Sequence, residues 1–257
     1  MFFLRSFLFF PISSILLAGK IFCQNEKINN DTQRVIKFSV GKTFLQPKRL
    51  DGNPTRSLSS GQTIDLQHPY ALVTGKNSLL EVYQKDLSNS AIVRIGRSTA
   101  LEFRSLYSLS LYQGSVLVAH QEDSTWKINS TNSQFSVHGN GTWMTEKTSI
   151  GFKFILLEGS MDIIGGKKNV EVEAGNLVLI NDGHGNISQK LKIELPLLLS
   201  TSRLLNRFPD PLPSHSRLIS ASQVQALRTK KKYEVMIGGI SKNRKLEIWQ
   251  VGNNQEK

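Results

Sequence analysis

Disulfides within the chain are excluded by arithmetic, since Cys23 is the only cysteine in 257 residues. The chain is therefore not a small stapled extracellular module, and it must hold together by its core. It is long enough to bury one. Acidic residues are scarce too: 20 Asp and Glu stand against 32 Lys and Arg, a net charge of +12. Such a chain can associate with anionic headgroups, acidic polysaccharide or nucleic acid. The charge is dispersed, however, and the one dense run is Arg228-Thr-Lys-Lys-Lys232. A soluble basic surface is favoured over a specific polyanion site, contact with an anionic polymer is its weak form, and no nucleic-acid partner is expected.

Long apolar runs are also missing. The uncharged stretch Ser6–Gly19 falls short of the roughly 20 residues that a membrane-spanning helix needs. It follows a single charge at Arg5, contains Pro11 and exits into Lys20 and the polar QNEKINNDTQ. Charged start, apolar run and polar exit form a secretory signal peptide. Cleavage after Gly19 or after Cys23 and retention as a signal anchor both stay open. Lys20, Ile21 and Phe22 before Cys23 do not suit a lipoprotein box. The expectation is an exported protein, periplasmic or extracellular, with no transmembrane span once mature.

Helical periodicity is nearly absent before residue 195. Short runs rich in Val, Ile, Leu, Phe and Tyr alternate with Gly, Asn, Asp and Ser turns from Val35 onward. Asn169-Val-Glu-Val-Glu173 alternates strictly, as a half-buried strand does. Gly165-Gly166 predicts a tight hairpin. Gly139-Asn-Gly141 predicts a break between SQFSV and TWMTE. The fold class is all-β: a roll or sandwich of many short antiparallel strands, with a proline-rich connector and a small C-terminal helix plus hairpin. The division is a signal peptide at 1–23, a linker at 24–34, a β domain at 35–190, a connector at 191–219 and an extension at 220–257. Four of the eight prolines (Pro196, Pro209, Pro211, Pro213) lie in the connector, which predicts an extended path there. Ser220 or Ser222 is the predicted cap of the helix that follows.

Chemistry-bearing motifs are sparse. His68, His120, His138, His184 and His215 are isolated, with no metal-ligand spacing. Asp182 and His184 share a glycine-rich turn and read as surface residues. There is no G-x-S-x-G elbow, and Gly139-x-Gly141 does not continue into a dinucleotide fingerprint. Glu171 and Glu173 share one face of a strand, and with Glu158 they would form an acid–base site only if brought into one cleft. Trp126, Trp143, Trp249, Tyr70, Tyr83, Tyr107, Tyr112 and Tyr233 could make a sugar-stacking face, but a β core is the commoner use of aromatics. No catalytic, cofactor-binding or metal-binding residue is assigned, no cofactor is expected, and the chain is read as a non-enzyme.

A series of phrases in order resembles the FecR domain family. Ser39-Val-Gly-Lys-Thr43 opens it, followed by Asp51-Gly52 and Leu58-Ser-Ser-Gly-Gln62. Leu72-Val-Thr-Gly-Lys-Asn-Ser-Leu-Leu80 is similar to the family's strand pair. Ile92-Val-Arg-Ile-Gly-Arg-Ser-Thr-Ala-Leu101, Leu109-Ser-Leu-Tyr-Gln-Gly-Ser-Val116, Phe135–Thr142, Leu157-Glu-Gly-Ser-Met161 and Val172-Glu-Ala-Gly-Asn176 complete it. The resemblance covers more than half of the chain and implies an exported β domain that senses, binds or scaffolds. Its transmembrane members carry a cytoplasmic segment that engages a sigma factor. Few residues precede the apolar run here, so that activity is not expected to carry over. The partner implied is an envelope protein or a glycan. The alternatives are a structural or polysaccharide-associated envelope protein and, last, a polysaccharide-acting enzyme.

Overall fold

The computed structural model describes residues 33–47, 55–64, 70–85, 89–166, 168–183 and 185–236, with side chains as far as Arg228. The segment read as a signal peptide, most of the predicted linker, His68, His184, Trp249 and the predicted terminal hairpin lie outside these residues.

Among the described residues thirteen strands form one antiparallel sheet. They are β1 (Gln33–Val40), β2 (Thr43–Pro47), β3 (Arg56–Ser57), β4 (Tyr70–Thr74), β5 (Leu79–Lys85), β6 (Ser90–Ile95), β7 (Ala100–Ser105), β8 (Ser108–Asn129), β9 (Gln134–Thr148), β10 (Gly151–Gly165), β11 (Lys168–Glu173), β12 (Asn176–Asn181) and β13 (Leu191–Lys192). Three helices follow: α1 (Leu195–Thr201), α2 (Arg203–Asn206) and α3 (His215–Met236). The all-β class read from the sequence is the observed one. The strands are less uniformly short than expected, for β8, β9 and β10 run to 22, 15 and 15 residues.

Strand β8 is the hub. Its first residues pair with β7, Val116–His120 pair with β6, and Gly114–Asn129 pair with β9. Strand β10 continues the meander, with β9 on one edge and β11 and β12 end to end on the other. At the β10–β11 hairpin Gly165 pairs with Lys168, as the Gly165-Gly166 pair implied.

Side-chain alternation gives the sheet two apolar faces. Val116 and Val118, with Phe154 and Leu156, join a core drawn from nearly every strand, around Trp126, Trp143 and Phe135. Leu117 and Ala119, with Ile155 and Leu157, point the other way, into a second cluster completed by Leu195, Leu204, Phe208, Leu212 and Leu218. Burying that second face requires the C-terminal segment, which forms a strap across it.

The strap is more regular than the extended connector expected from its prolines. Pro196 lies in the first turn of α1, where its missing N–H costs nothing. Leu195, Leu198, Leu199, Leu204 and Leu205 then supply an apolar face for docking. Pro209, Pro211 and Pro213 do stay outside helices. Helix α3 begins before Ser220 and Ser222: the Leu218 N–H donates to Ser214 O at 2.9 Å, and the Ser220 hydroxyl instead bonds back to Ser216 O at 3.0 Å.

Candidate functional site

The three long strands change direction at one level and create a crease. In β8 the register with β9 shifts between His120 and Ser124. In β10 it shifts between Leu156 and Glu158. In β9 the bend falls at Gly139 and Gly141, whose φ angles are 134° and 136°, and Gly159 opposite has φ 98°. A Cβ on Gly141 would sit 2.1 Å from Glu158 O, so only glycine fits this crossing. The glycine pair therefore bends β9 without breaking it, which corrects the break predicted from sequence.

Polar side chains gather at this crease. His120 on β8 is buried. Its Nε2 lies 3.3 Å from the Trp143 indole N–H, a group that only donates. Nε2 is thus the acceptor, and the ring proton sits on Nδ1, 3.0 Å from Glu122 O and 3.0 Å from Ser124 Oγ. Burial pushes the imidazole below its ordinary 6.5, against the opposing pull of Glu122 O and the charges of Asp123 and Glu158. The ring is neutral and both nitrogens are engaged, so in this state it has no free lone pair for general-base work.

The strap is fastened to the same crease. Arg217 Nε of α3 donates to Glu158 Oε1 at 2.7 Å. The hydroxyls of Thr142 and Ser214 lie 2.5 Å apart. Glu158 Oε2 is buried without a hydrogen-bond partner. Between sheet and strap is an open cavity of about 230 Å³, walled by Tyr83, Ile92, His120, Gln121, Ser214 and Arg217 among others.

A second fastening lies deeper. Arg94 of β6 is buried and pairs with Glu81 Oε2 at 2.7 Å. Its other nitrogens donate to Leu204 O at 3.1 Å and Asp210 O at 2.5 Å, and its guanidinium lies 4.4 Å from the Phe208 ring centroid. A sheet residue thereby satisfies carbonyls at the end of α2 and in the proline segment, groups that a helix end leaves orphaned.

The remaining sequence candidates have other duties. Trp126 and Trp143 are fully buried and edge-packed at 5.8 Å; they are core. Tyr107 packs on Trp126, and Tyr83 alone of the described aromatics walls the cavity. Asp182 locks two loops, accepting from Lys147 Nζ at 2.7 Å and Ser133 Oγ at 2.7 Å. Burial opposes its ionisation, but those bonds, that of Ser130 and the Lys147 charge hold its carboxyl below the usual value. Glu171 and Glu173 ride on β11 opposite Asp162 and Ser160, while Glu158 is committed to Arg217. Among the described residues no three His, Cys, Asp or Glu side chains gather as a metal site would require. The sequence reading named His120 only as an isolated histidine and had no signal for Arg217 or Arg94. Their contacts to Trp143, Glu158 and Asp210 span 23 to 116 residues of chain.

No family model matches the chain, and no curated protein does. Among solved structures it is similar to two crystal structures of a proposed anti-sigma factor from Parabacteroides distasonis. They are 9% and 11% identical, with TM-scores of 0.39 and 0.38, and the match covers 51% of this chain. It spans 65% and 64% of those chains, under two thirds of their length.

Proposed function

We propose that this chain is a non-catalytic binding protein of the bacterial cell envelope, exported by its N-terminal segment, that senses or scaffolds through the crease cavity. One observation carries the reading: the cavity is walled on one side by the sheet and on the other by a separately fastened strap. An occupant touches both and so reports its presence in how tightly the strap is held. The neutral, doubly bonded His120 supports binding over hydrolysis. The FecR-like phrases and the apolar N-terminal run support the envelope.

Two measurements test this reading. Fractionation of the encoding bacterium should place the protein with periplasm or envelope, and recovery in the cytosol would overturn export. Incubation with envelope glycans and peptides should yield no hydrolysis. Turnover lost in His120→Ala or Glu158→Gln would overturn the non-catalytic reading.

A further inference from the structure

We infer that the crease cavity accepts one neutral sugar ring, the exposed residue of a glycan. This rests on the reading above that the cavity is the binding point, and it names the class of ligand.

Size is the first constraint. At about 230 Å³ the space lies below the roughly 300–1,000 Å³ of sites for larger organic ligands. A single ring fits, with the rest of a chain leaving through the open mouth.

Charge is the second. Arg217 is the one ionised side chain in the wall, and Glu158 at 2.7 Å already matches it. His120 is neutral. Outside the wall, Lys37 sits 5.2 Å from the Tyr83 ring, while Asp123 and Glu158 act on His120 from the opposite sign. These charges offset one another, so the wall selects neither an anion nor a cation.

Hydrogen-bonding capacity is the third. Ser90 and Gln121 are exposed in the wall, and their side chains make no hydrogen bond to another described residue. Gln121 offers a donor and an acceptor on one amide, which suits vicinal hydroxyls that do both. Tyr83, Ile92 and Pro213 supply apolar surface for the C–H face of a pyranose. A wall that combines neutral hydrogen-bonding groups with apolar surface matches the two faces of a sugar ring.

The test is ligand-detected saturation-transfer NMR on the full chain. The probes are glucose and N-acetylglucosamine, run against inorganic phosphate and acetate in a competition arm. Saturable transfer to a sugar is expected, about fivefold weaker in Gln121→Ala and in Tyr83→Ala, as befits loss of one hydrogen bond or one stacking surface. Gln121→Ala should melt like the parent because Gln121 is exposed, whereas Tyr83→Ala removes half-buried ring contacts and is compared at a temperature where its melt shows it folded. Sugar transfer that ignores both substitutions, or no transfer at all, overturns the proposal. If acetate shows saturable transfer instead and Arg217→Gln abolishes it, the sugar class is wrong while the cavity remains the binding point. If no probe binds, the sugar proposal falls alone, and fractionation and turnover still judge the envelope reading.

Discussion

At the scale of single residues, two buried arginines do work that no local motif advertises. Arg34 ties Gln84 Oε1 at 2.7 Å to the Ser105 carbonyl at 2.5 Å inside the β body, and Arg94 ties the strap to the sheet. Replacing Arg94 by Met leaves Glu81 buried and unpaired and orphans the carbonyls of Leu204 and Asp210. A loss of about 3–5 kcal/mol is expected, the usual result of breaking a buried pair from one side. Denaturant unfolding should show it, and limited proteolysis should cut between α2 and α3. An unchanged proteolytic pattern would refute the clamp. His120 gives a pH prediction. Its folded form resists protonation because of burial, so below pH 6.5 the unfolded chain binds more protons, and stability contributed by this group falls as pH drops through that window. The parent should therefore lose more stability between pH 7.5 and 5.5 than His120→Gln does. Equal slopes in the two urea series would exclude the effect.

At the scale of elements, the crease is where glycine conformation decides stability. Gly141→Ala combines φ 136° with a Cβ 2.1 Å from Glu158 O. Strain plus overpacking predicts a cost of at least about 3 kcal/mol. Gly183 has φ 85° but nothing within 4 Å of its added Cβ, so Gly183→Ala should cost only the left-handed penalty of roughly 1–2 kcal/mol. Denaturant midpoints rank the two, and a reversed order would remove the close approach as the cause. These glycines also show why the strands could be read from sequence and the bend could not. The alternation in Asn169–Glu173 is a local, period-two signal. Gly139-Asn-Gly141 has the same local text whether it ends a strand or bends one, and the distinction lies in the β10 backbone facing it. Helices α1 and α2 of the strap were hidden likewise. Prolines at 209, 211 and 213 forbid helix locally, but Pro196 at a helix start does not, and the apolar face that docks α1 has meaning only against Leu157 and Leu117 of the sheet. The candidate site was less legible still, since the cavity is made by residues 83, 92, 120, 121, 214 and 217.

At the scale of the whole molecule, charge is unevenly placed. Residues 190–236 hold nine cations (Lys190, Lys192, Arg203, Arg207, Arg217, Arg228 and Lys230–Lys232) against Glu194, Asp210 and Glu234, a net +6 out of the chain's +12. Five exposed large apolar residues, Leu191, Leu197, Ile219, Val224 and Leu227, lie in the same segment. If an anionic envelope polymer meets this protein, the strap is the side it meets, because long-range attraction follows the local excess of charge. The full chain should be retained on lipopolysaccharide at low ionic strength and released near about 1 M salt, where screening shortens to roughly 3 Å. Reversing Arg203, Arg207 and Arg228, all exposed on the strap, to Glu should cut retention strongly. Reversing Lys42, Lys76 and Lys127, equally exposed on the β body, changes net charge by the same amount and should cut it less. Equal losses from the two triple variants would reduce the attraction to net charge alone. Retention that survives high salt would assign it to the apolar residues instead.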